Sequence, residues 1–283
     1  MSSVRGKVAV VTGAGSGIGR QLAFELARRG ARLALSDVAE LGLGETADRA
    51  KALGADVHTS RLDVADREAF GAYATAVAEH HGVVHQVYNN AGVAGGSRTV
   101  LEADLASWDR TLGINLFGVV HGTTAFLPHL IASGDGHVIN ISSLNGILAQ
   151  PLLGDYVTSK FAVRGFTETL RAEMLLAGHP VQVTVVHPGG VRTNIASAAL
   201  AEARGSGAAV TARDEARRRT YDEKLLTMPA EQAARIIVDA VEAGRPRVLV
   251  GRDAKVADLL VRLVPQRYPR LVVALERRVF GEG

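Results

Sequence analysis

The stretch Thr12-Gly13-Ala14-Gly15-Ser16-Gly17-Ile18-Gly19 follows a short apolar run, Lys7–Thr12, and leads into a helical pattern over Gly17–Arg29. Glycines allow a backbone to turn sharply and to approach a pyrophosphate, whose charge then lies at the helix N-terminus. The spacing is T-G-x-x-x-G-x-G rather than G-x-G-x-x-G, but strand, turn and helix follow in the required order. The sequence therefore predicts a dinucleotide-binding turn, with a ligand-free turn as the alternative. Its predicted contacts are Gly13, Ser16, Gly17, Ile18 and Gly19.

An acidic residue, Asp37, ends the second predicted strand, about 20 residues beyond the glycines. A carboxylate there can accept hydrogen bonds from both ribose hydroxyls of NAD and would repel the 2′-phosphate of NADP. Positions 16 and 38 hold serine and valine, so neither neighbour supplies a cation to offset that repulsion. We expect NAD as the cofactor. The alternative is that Asp37 only caps the following turn.

Short β-branched runs alternate with longer helical stretches along the chain, and near-continuous apolar strands are typical of a parallel sheet covered on both faces. The pattern predicts an α/β fold, a doubly wound parallel seven-stranded sheet (Rossmann fold) with a short C-terminal helical extension. The predicted strands are Lys7–Thr12, Arg32–Ser36, Asp56–Ser60, Val84–Asn89, His137–Ser142, Val181–His187 and Arg247–Gly251. The predicted helices are Gly17–Arg29, Leu41–Leu53, Asp66–His81, Leu105–Ser133, Tyr156–Ala177 and Pro229–Ala243.

Length and composition fit one domain over residues 1–283. The chain contains no cysteine, which excludes disulfides, thiolate metal sites and a cysteine nucleophile, and which is typical of a reducing compartment. We expect neither a signal peptide nor a membrane-spanning run, and therefore a cytoplasmic protein. The basic and acidic residues are balanced before residue 252, so nucleic acid is not an expected partner.

Two segments interrupt the alternation of strands and helices. Residues 194–228 contain no predicted strand and are expected to form a substrate lid. Residues 252–283 form a basic extension with seven basic and four acidic groups. Apolar residues at 256, 259, 260, 263 and 264 predict an amphipathic helix that Asp253 caps and Pro265 ends. This extension either packs on the protein body or a neighbouring subunit, or makes a weak contact with an anionic membrane surface.

The candidate catalytic residues surround Tyr156, which with Lys160 lies on one face of a predicted helix. A nearby ammonium group favours the phenolate and lowers the pKa of a tyrosine, which could then accept a proton from an alcohol. Ser143 follows the fifth strand, at the sheet edge where doubly wound folds bind ligands, and its hydroxyl could bond the substrate oxygen. The adjacent Ser142 is the structural alternative. Asn115 is polar inside an apolar helix and needs partners if it is buried.

These residues belong to a larger set of motifs, and with them the chain resembles the short-chain dehydrogenase/reductase family over about residues 5–251. The motifs are T-G-x-x-x-G-x-G at 12–19, L-D-V at 62–64, N-N-A-G at 89–92, I-N at 114–115, I-S-S at 141–143, Y-x-x-S-K at 156–160 and H-P-G-x-V-x-T at 187–193. The resemblance implies a catalytic tetrad of Asn115, Ser143, Tyr156 and Lys160. It also implies cofactor contacts from Asn115, Tyr156 and Lys160, and from Asp63, Val64, Asn90, Ala91, Gly92, Pro188, Gly189, Val191 and Thr193.

The function that follows is an NAD-dependent oxidoreductase that transfers a hydride between a secondary alcohol or ketone and nicotinamide. An apolar substrate is expected from the residues that should bound the pocket, which are Leu144, Ile147, Leu148, Leu152, Leu153 and Ile195. Packing of these residues within the lid is the alternative. Two further functions remain open: a non-catalytic NAD-binding sensor, and a membrane-binding or partner-binding module on the same scaffold. The long helices 105–133 and 156–177 match those that pair subunits in the family, which implies a homodimer or homotetramer.

Histidine spacing does not predict a metal site. His81 and His85 are four residues apart, but Gly82 and the start of a strand separate them, so one helix face cannot carry both. No metal is therefore expected. No Ser/His/Asp set suggests a hydrolase either.

Overall fold

The computed structural model describes residues 3–95, 98–193, 195 and 211–281. Its main sheet has seven strands, all parallel, in the order β3-β2-β1-β4-β5-β6-β9, which confirms the predicted Rossmann fold. These strands are β1 Val8–Thr12, β2 Arg32–Asp37, β3 Val57–Arg61, β4 Gln86–Asn89, β5 Gly136–Ile141, β6 Val181–Pro188 and β9 Arg247–Val250. The two remaining strands are β7 Val191–Arg192 and β8 Met228–Pro229.

Helices cover both faces of the sheet, which is why the central strands are apolar along their whole length. Leu22 of α1 and Ile237 of α8 lie in the core on one face, and Phe70 of α3 and Phe126 of α5 lie in the core on the other. The helices are α1 Gly17–Arg28, α2 Glu40–Ala52, α3 Arg67–His81, α4 Leu105–Leu112, α5 Gly118–Ala132, α6 Gly154–Ala177, α7 Ala212–Lys224, α8 Ala230–Glu242, α9 Arg252–Leu263 and α10 Tyr268–Phe280.

The helix predicted over 105–133 is divided in the structure. A π-helical turn, Gly113–Phe117, joins α4 to α5. The combined segment Leu105–Ala132 is also long and apolar enough to cross a membrane by length and composition, which the sequence analysis did not expect. In the fold, α5 packs against α3 and against β4 and β5, so this hydropathy reflects a helix that covers the sheet.

The region 194–228 contains more regular structure than expected. Residues 194 and 196–210 of the predicted lid lie outside the described residues, but 211–228 include α7 and the start of β8. The expectation that the region lacks a strand is wrong, because β8 pairs with β7 in a small parallel sheet. Local sequence could not indicate this pairing, since the Gly190 carbonyl accepts hydrogen bonds from the distant amides of Thr227 and Met228.

The C-terminal extension forms α9 and α10, and α9 ends before Pro265 as predicted. Asp253 does not cap α9. Its carboxylate instead accepts a hydrogen bond from the Gly190 amide at 2.5 Å and fastens the start of α9 to the end of the main sheet. The extension packs on the body through Ala257 and Val272, which contact Leu148.

Acid should destabilise this fold through buried neutral histidines, of which His137 on β5 is one. Nε2 of His137 lies 2.8 Å from the Thr184 hydroxyl, which donates its proton to the Arg245 carbonyl and therefore accepts from the ring. Burial lowers the pKa of His137 to about 4, and that of His187 to about 4. The unfolded chain takes up these protons below about pH 6.5 and the folded chain only near pH 4. The free energy of unfolding should therefore fall as pH falls between these values.

We expect His137→Gln to weaken this pH dependence by up to about 1.4 kcal/mol per pH unit between pH 6.5 and 4. Urea denaturation at a series of pH values measures it. The slope against pH is the readout, because the substitution also changes the stability at neutral pH. Equal slopes for the two proteins would contradict the assignment.

Candidate active site

The glycine turn between β1 and α1 is closely packed. Gly13 has a positive φ of +65°, and a Cβ at Gly19 would overlap the carbonyl oxygen of Gly13. Asn90 lies on the other side of the turn, where its Nδ2 donates to the carbonyls of Thr12 at 2.9 Å and Gly13 at 3.3 Å. Side chains are thus excluded at two of the predicted glycines, and Asn90 supports the turn from the adjacent strand end.

The N-terminus of α1 faces this turn with its amide groups available. The first intrahelical bond runs from the Arg20 amide to the Ser16 carbonyl, so the amides of residues 17–19 precede the hydrogen-bonded ladder. Ser16 is the N-cap residue, and its hydroxyl makes no capping hydrogen bond within the described residues. Such amides, together with the helix dipole, bind phosphate groups, so this part of the structure fits a dinucleotide.

Asp37 ends β2 next to the turn. One carboxylate oxygen accepts from the Gly15 amide at 2.8 Å and the other from the Ala39 amide at 2.9 Å. These two bonds fix the carboxylate beside the glycines, where the ribose of a bound dinucleotide would lie. Asp63 and Val64 follow β3 at the same edge; Asp63 is exposed and accepts from the Ala65 amide, whereas Val64 is buried.

Residues 90–92 connect the turn to the predicted catalytic residues. The amides of Asn90 and Ala91 donate to the Thr12 hydroxyl at 3.0 and 3.1 Å. A Cβ on Gly92 would lie 3.1 Å from Asn115 Oδ1 and 3.4 Å from Lys160 Nζ. Gly92 therefore lies directly against two of the predicted catalytic side chains.

The structure brings Tyr156, Lys160 and Ser143 together at the carboxyl end of β5. Lys160 Nζ lies 5.7 Å from the centroid of the Tyr156 ring and donates to the Ile141 carbonyl at 3.2 Å. Ser143 follows β5 and bonds the Tyr156 side chain, which opposes the effect of burial on the pKa of that tyrosine. The adjacent Ser142 has a structural role, which was the alternative expected for it, because its hydroxyl donates a hydrogen bond to the Lys160 carbonyl at 2.8 Å.

Burial governs the charges of this group. It raises the pKa of Tyr156 above its ordinary value, and it lowers the pKa of Lys160 to about 8. Lys160 is therefore still mainly cationic at neutral pH, whereas the Tyr156 phenol keeps its proton. Additional positive charge beside the phenol would be needed to favour the phenolate, and an oxidised nicotinamide ring carries such a charge.

Asn115 occupies the π-helical turn between α4 and α5 and is fully buried. Its Oδ1 accepts from the Val93 amide at 2.8 Å, and its Nδ2 donates to the Val93 carbonyl at 3.0 Å and to the Ser159 hydroxyl at 3.2 Å. Single π-helical turns inside α-helices are frequent at functional sites. The side chain links the strand end after β4 to the helix that carries Tyr156 and Lys160.

Two buried residues hold members of the site in place. The sequence analysis did not assign either of them to the site. Asp155 accepts hydrogen bonds from Ser107 Oγ at 2.9 Å, Thr111 Oγ1 at 3.0 Å and the Tyr156 amide at 2.7 Å, so it fixes the first turn of α6 against α4. His187 donates from Nδ1 to the Ser143 carbonyl at 2.9 Å. An acidic residue in a first helical turn is common, which is why Asp155 gave no distinct signal in the sequence.

Tyr221 on α7 is a third residue that the sequence analysis missed. Burial and then the neighbouring Tyr156 raise its pKa to about 12, so a second phenol lies near that of Tyr156. Residues 188–193 complete this side of the site. Pro188 ends β6, a Cβ on Gly189 would overlap Asp253, Val191 is buried in β7 and Thr193 is half-buried.

Residues 7–204 match the family model described as short chain dehydrogenase. The chain belongs to the short-chain dehydrogenase family. The fold, the glycine turn and the clustered tetrad agree with that membership, and the family resemblance predicted from the motifs is confirmed.

Relatives match over nearly the full length. SadH of Mycobacterium tuberculosis, whose name describes it as an oxidoreductase, is 52% identical over 278 residues, which cover 97% of this chain and 96% of SadH. A crystal structure of a short-chain dehydrogenase/reductase from Burkholderia phymatum in complex with NAD has a TM-score of 0.87 and 34% identity, and covers 95% of this chain and 97% of its own. Carveol dehydrogenase from Mycobacterium avium in complex with NAD has a TM-score of 0.77 and 27% identity, with 92% and 100% covered.

We expect Tyr156→Phe to lower kcat by about 10²–10⁴-fold, because it removes the proton-carrying hydroxyl from a site that is otherwise unchanged. NAD affinity, measured by isothermal titration calorimetry, should remain close to that of the unmodified protein. Thr158→Val, at an exposed position of the same helix, is the matched control. A Tyr156→Phe enzyme that keeps more than about half of its kcat would contradict this role for Tyr156.

Proposed function

We propose that the protein is an NAD-dependent oxidoreductase that transfers a hydride between a secondary alcohol, or the corresponding ketone, and nicotinamide. The observation that carries the proposal is the convergence of Tyr156, Ser143 and Lys160, with Gly92 against Lys160. The open helix N-terminus and Asp37 support the cofactor part, as do the two solved relatives that bind NAD.

Bound NAD supplies the hydride acceptor. Tyr156 takes the proton of the substrate hydroxyl while the carbon–hydrogen bond breaks, and in the reverse direction it returns a proton to the ketone oxygen. The Ser143 hydroxyl, at the carboxyl end of β5, orients the same substrate oxygen. Lys160 stabilises the Tyr156 phenolate electrostatically. Asn115 keeps α6 in position through Ser159.

An apolar substrate is the class that the surrounding residues favour. Ile147 is buried, and Leu152 and Leu153 are half-buried just before α6. The two polar residues of the segment bond each other, with Asn145 Nδ2 donating to Gln150 Oε1 at 2.8 Å. Leu144 and Leu148 contact the C-terminal extension, so part of the predicted lining also holds that extension in place. The name of the carveol dehydrogenase agrees with a secondary alcohol.

Formation of NADH with a panel of cyclic and linear secondary alcohols tests the proposal. We expect turnover that Tyr156→Phe lowers by about 10²–10⁴-fold. A protein that binds NAD tightly but oxidises no member of the panel and reduces none of the ketones would instead be the cofactor sensor considered above, a role that the complete tetrad disfavours.

Asp37 should determine the preference for NAD. Its carboxylate would accept the ribose hydroxyls of NAD and repel the additional phosphate of NADP. In the unmodified enzyme kcat/KM should be higher with NAD, and Asp37→Ala should narrow the difference mainly by weakening NAD. Asp63→Ala, which removes an exposed carboxylate that follows β3, is a useful comparison. Higher kcat/KM with NADP in the unmodified enzyme would contradict the prediction.

A homodimer or homotetramer is also part of the proposal. Large apolar side chains are exposed along α6 and at the π-helical turn, and association would cover them. They are Phe117, Phe161, Leu175 and Leu176. Sedimentation equilibrium measures the assembly, and a monomer at micromolar concentration would contradict it.

We further propose that the enzyme binds the surface of an anionic membrane through α9 and α10. Part of the apolar stripe predicted for α9 faces solvent, since Val256, Leu259 and Leu263 are 57–70% exposed. In α10, Leu271 and Leu275 are also more than half exposed. Ala254 and Ala257 form the buried face of α9 instead.

The charges of the extension favour an anionic surface over a second copy of the chain. Its described acids are engaged: Asp253 by the Gly190 amide, Asp258 by Arg247 and Arg262, and Glu276 by Arg217. Six exposed basic residues make no ion pair within the described part of the chain, namely Arg252, Lys255, Arg267, Arg270, Arg277 and Arg278. Each basic group near an anionic bilayer contributes about 1 kcal/mol. A cytoplasmic protein, as the absence of cysteine favours, would meet such a surface at the inner leaflet.

Co-sedimentation with vesicles tests this contact. The full-length protein should pellet at low salt with vesicles that contain phosphatidylglycerol and much less with pure phosphatidylcholine. Leu259→Ser and Arg277→Ala/Arg278→Ala should each reduce pelleting, whereas Leu41→Ser, which is 90% exposed on α2, should not. Failure of the full-length protein to pellet would overturn the proposal, as would a smaller oligomer in the Leu259→Ser variant with vesicle binding unchanged.

A further inference from the structure

Three histidines and one aspartate lie together where α3 packs on the edge strand β3. Asp56 precedes β3 and His58 is its second residue, and residues two apart on a strand project to the same face. His80 and His81 are the last residues of α3. Ligand atoms of Asp56, His80 and His81 all lie within 4.8 Å of one another, and the His58 ring centroid is 5.0 Å from that of His80.

His81 has an unusual environment for a polar side chain. The side chain is fully buried, and neither ring nitrogen makes a hydrogen bond of normal geometry with the described residues. Asp56 Oδ2 lies 3.6 Å from Nδ1, and the Leu33 backbone is close enough to act as a weak hydrogen-bond partner. The Nδ1 of His58 is likewise buried without a partner. Buried nitrogens without a hydrogen-bond partner destabilise a fold, so a missing partner is indicated.

The charges next to the cluster affect whether it can hold a cation. One nearby charge opposes a cation: the guanidinium of Arg32, which donates to the His81 carbonyl at 3.4 Å. The Asp56 carboxylate offsets it.

We propose that Asp56, His80 and His81, with His58 beside them, form a binding site for Zn²⁺ or a similar divalent transition-metal ion. Imidazole nitrogen and carboxylate oxygen are ligands that zinc accepts in a tetrahedral arrangement. Zinc–ligand bonds of about 2.0–2.1 Å place adjacent ligand atoms about 3.4 Å apart. The His81–Asp56 distance of 3.6 Å is close to this value, and the exposed His80 and Asp56 side chains can rotate to complete it.

The proposed ligands differ from the pair His81 and His85, which the sequence analysis considered and rejected as a metal site. His85 is used otherwise, since its Nδ1 accepts a hydrogen bond from the Val8 amide at 3.1 Å. Asp56 and His58 lie more than twenty residues before His81 in the chain, which no spacing along α3 could indicate. The cluster lies at the start of β3, whereas Asp37 and Ser143 follow the ends of their strands. The ion would therefore join an edge strand to its covering helix, away from the catalytic group.

Zinc binding to the chelator-treated full-length protein tests the proposal. Calorimetry in metal-free buffer should give one Zn²⁺ per chain, and Co²⁺ should produce the visible absorption of a tetrahedral site. The melting temperature should rise by about 5 °C at a hundredfold excess of Zn²⁺ over Kd. His80→Ala and Asp56→Asn, both at exposed positions, should weaken Zn²⁺ binding about tenfold or more. His179→Ala, at an exposed histidine after α6, should not.

Absence of stoichiometric binding would overturn the site, and so would His80→Ala and Asp56→Asn variants that bind Zn²⁺ as the unmodified protein does. His81→Ala is not used, because loss of a buried side chain can unfold the protein without any metal. None of these readouts depends on turnover, so the result is independent of the proposed oxidoreductase activity.

Discussion

The hydroxyl of Thr12 holds the ends of two central strands in register. It accepts hydrogen bonds from the backbone amides of both Asn90 and Ala91. The Asn90 side chain in turn donates hydrogen bonds to the carbonyls of Thr12 and Gly13. This small network fixes the glycine turn against the residues that follow β4. Because Gly92 then lies beside Asn115 and Lys160, the predicted phosphate-binding turn and the predicted catalytic residues are joined through one short segment. A side chain at Gly13 or Gly19 would separate them.

The sequence contains enough information to predict the parallel sheet, because strands buried on both faces are apolar throughout and the helices between them are long. The sequence also predicts the tetrad. A tyrosine and a lysine four residues apart are a weak signal alone, but the accompanying serine and asparagine make the set specific. The predicted cofactor contacts are less certain from sequence, because their side chains also bond the protein itself: Asn90 bonds the glycine turn, and Asp63 bonds the Ala65 amide. Their contacts with a bound dinucleotide remain predictions.

Contacts between distant segments are what the sequence could not indicate. Asp253 resembles a helix cap because it stands at a helix start, but a backbone amide from residue 190 competes for its carboxylate. The same kind of contact produces β8 and places Tyr221 near Tyr156. The α7 helix is also tied to α10, where Arg217 pairs with Glu276 and its guanidinium lies 4.1 Å from the centroid of the Phe280 ring. The substrate side of the site therefore depends on the C-terminal extension, which the sequence analysis distinguished only by its basic composition and its apolar stripe.

The π-helical turn around Asn115 constrains how this enzyme can change in evolution. A π-helical turn contains one residue more than the α-helical turn it replaces, and each residue of an α-helix rotates the following side chains by about 100°. Loss of that residue would rotate either α4 or α5 away from its present partners. The partner of α4 is Asp155, which bonds Ser107 and Thr111, and the partner of α5 is the sheet. We therefore expect an insertion or deletion between Gly113 and Phe117 to disrupt these contacts more than a point substitution does, which makes the length of this segment an evolutionary constraint.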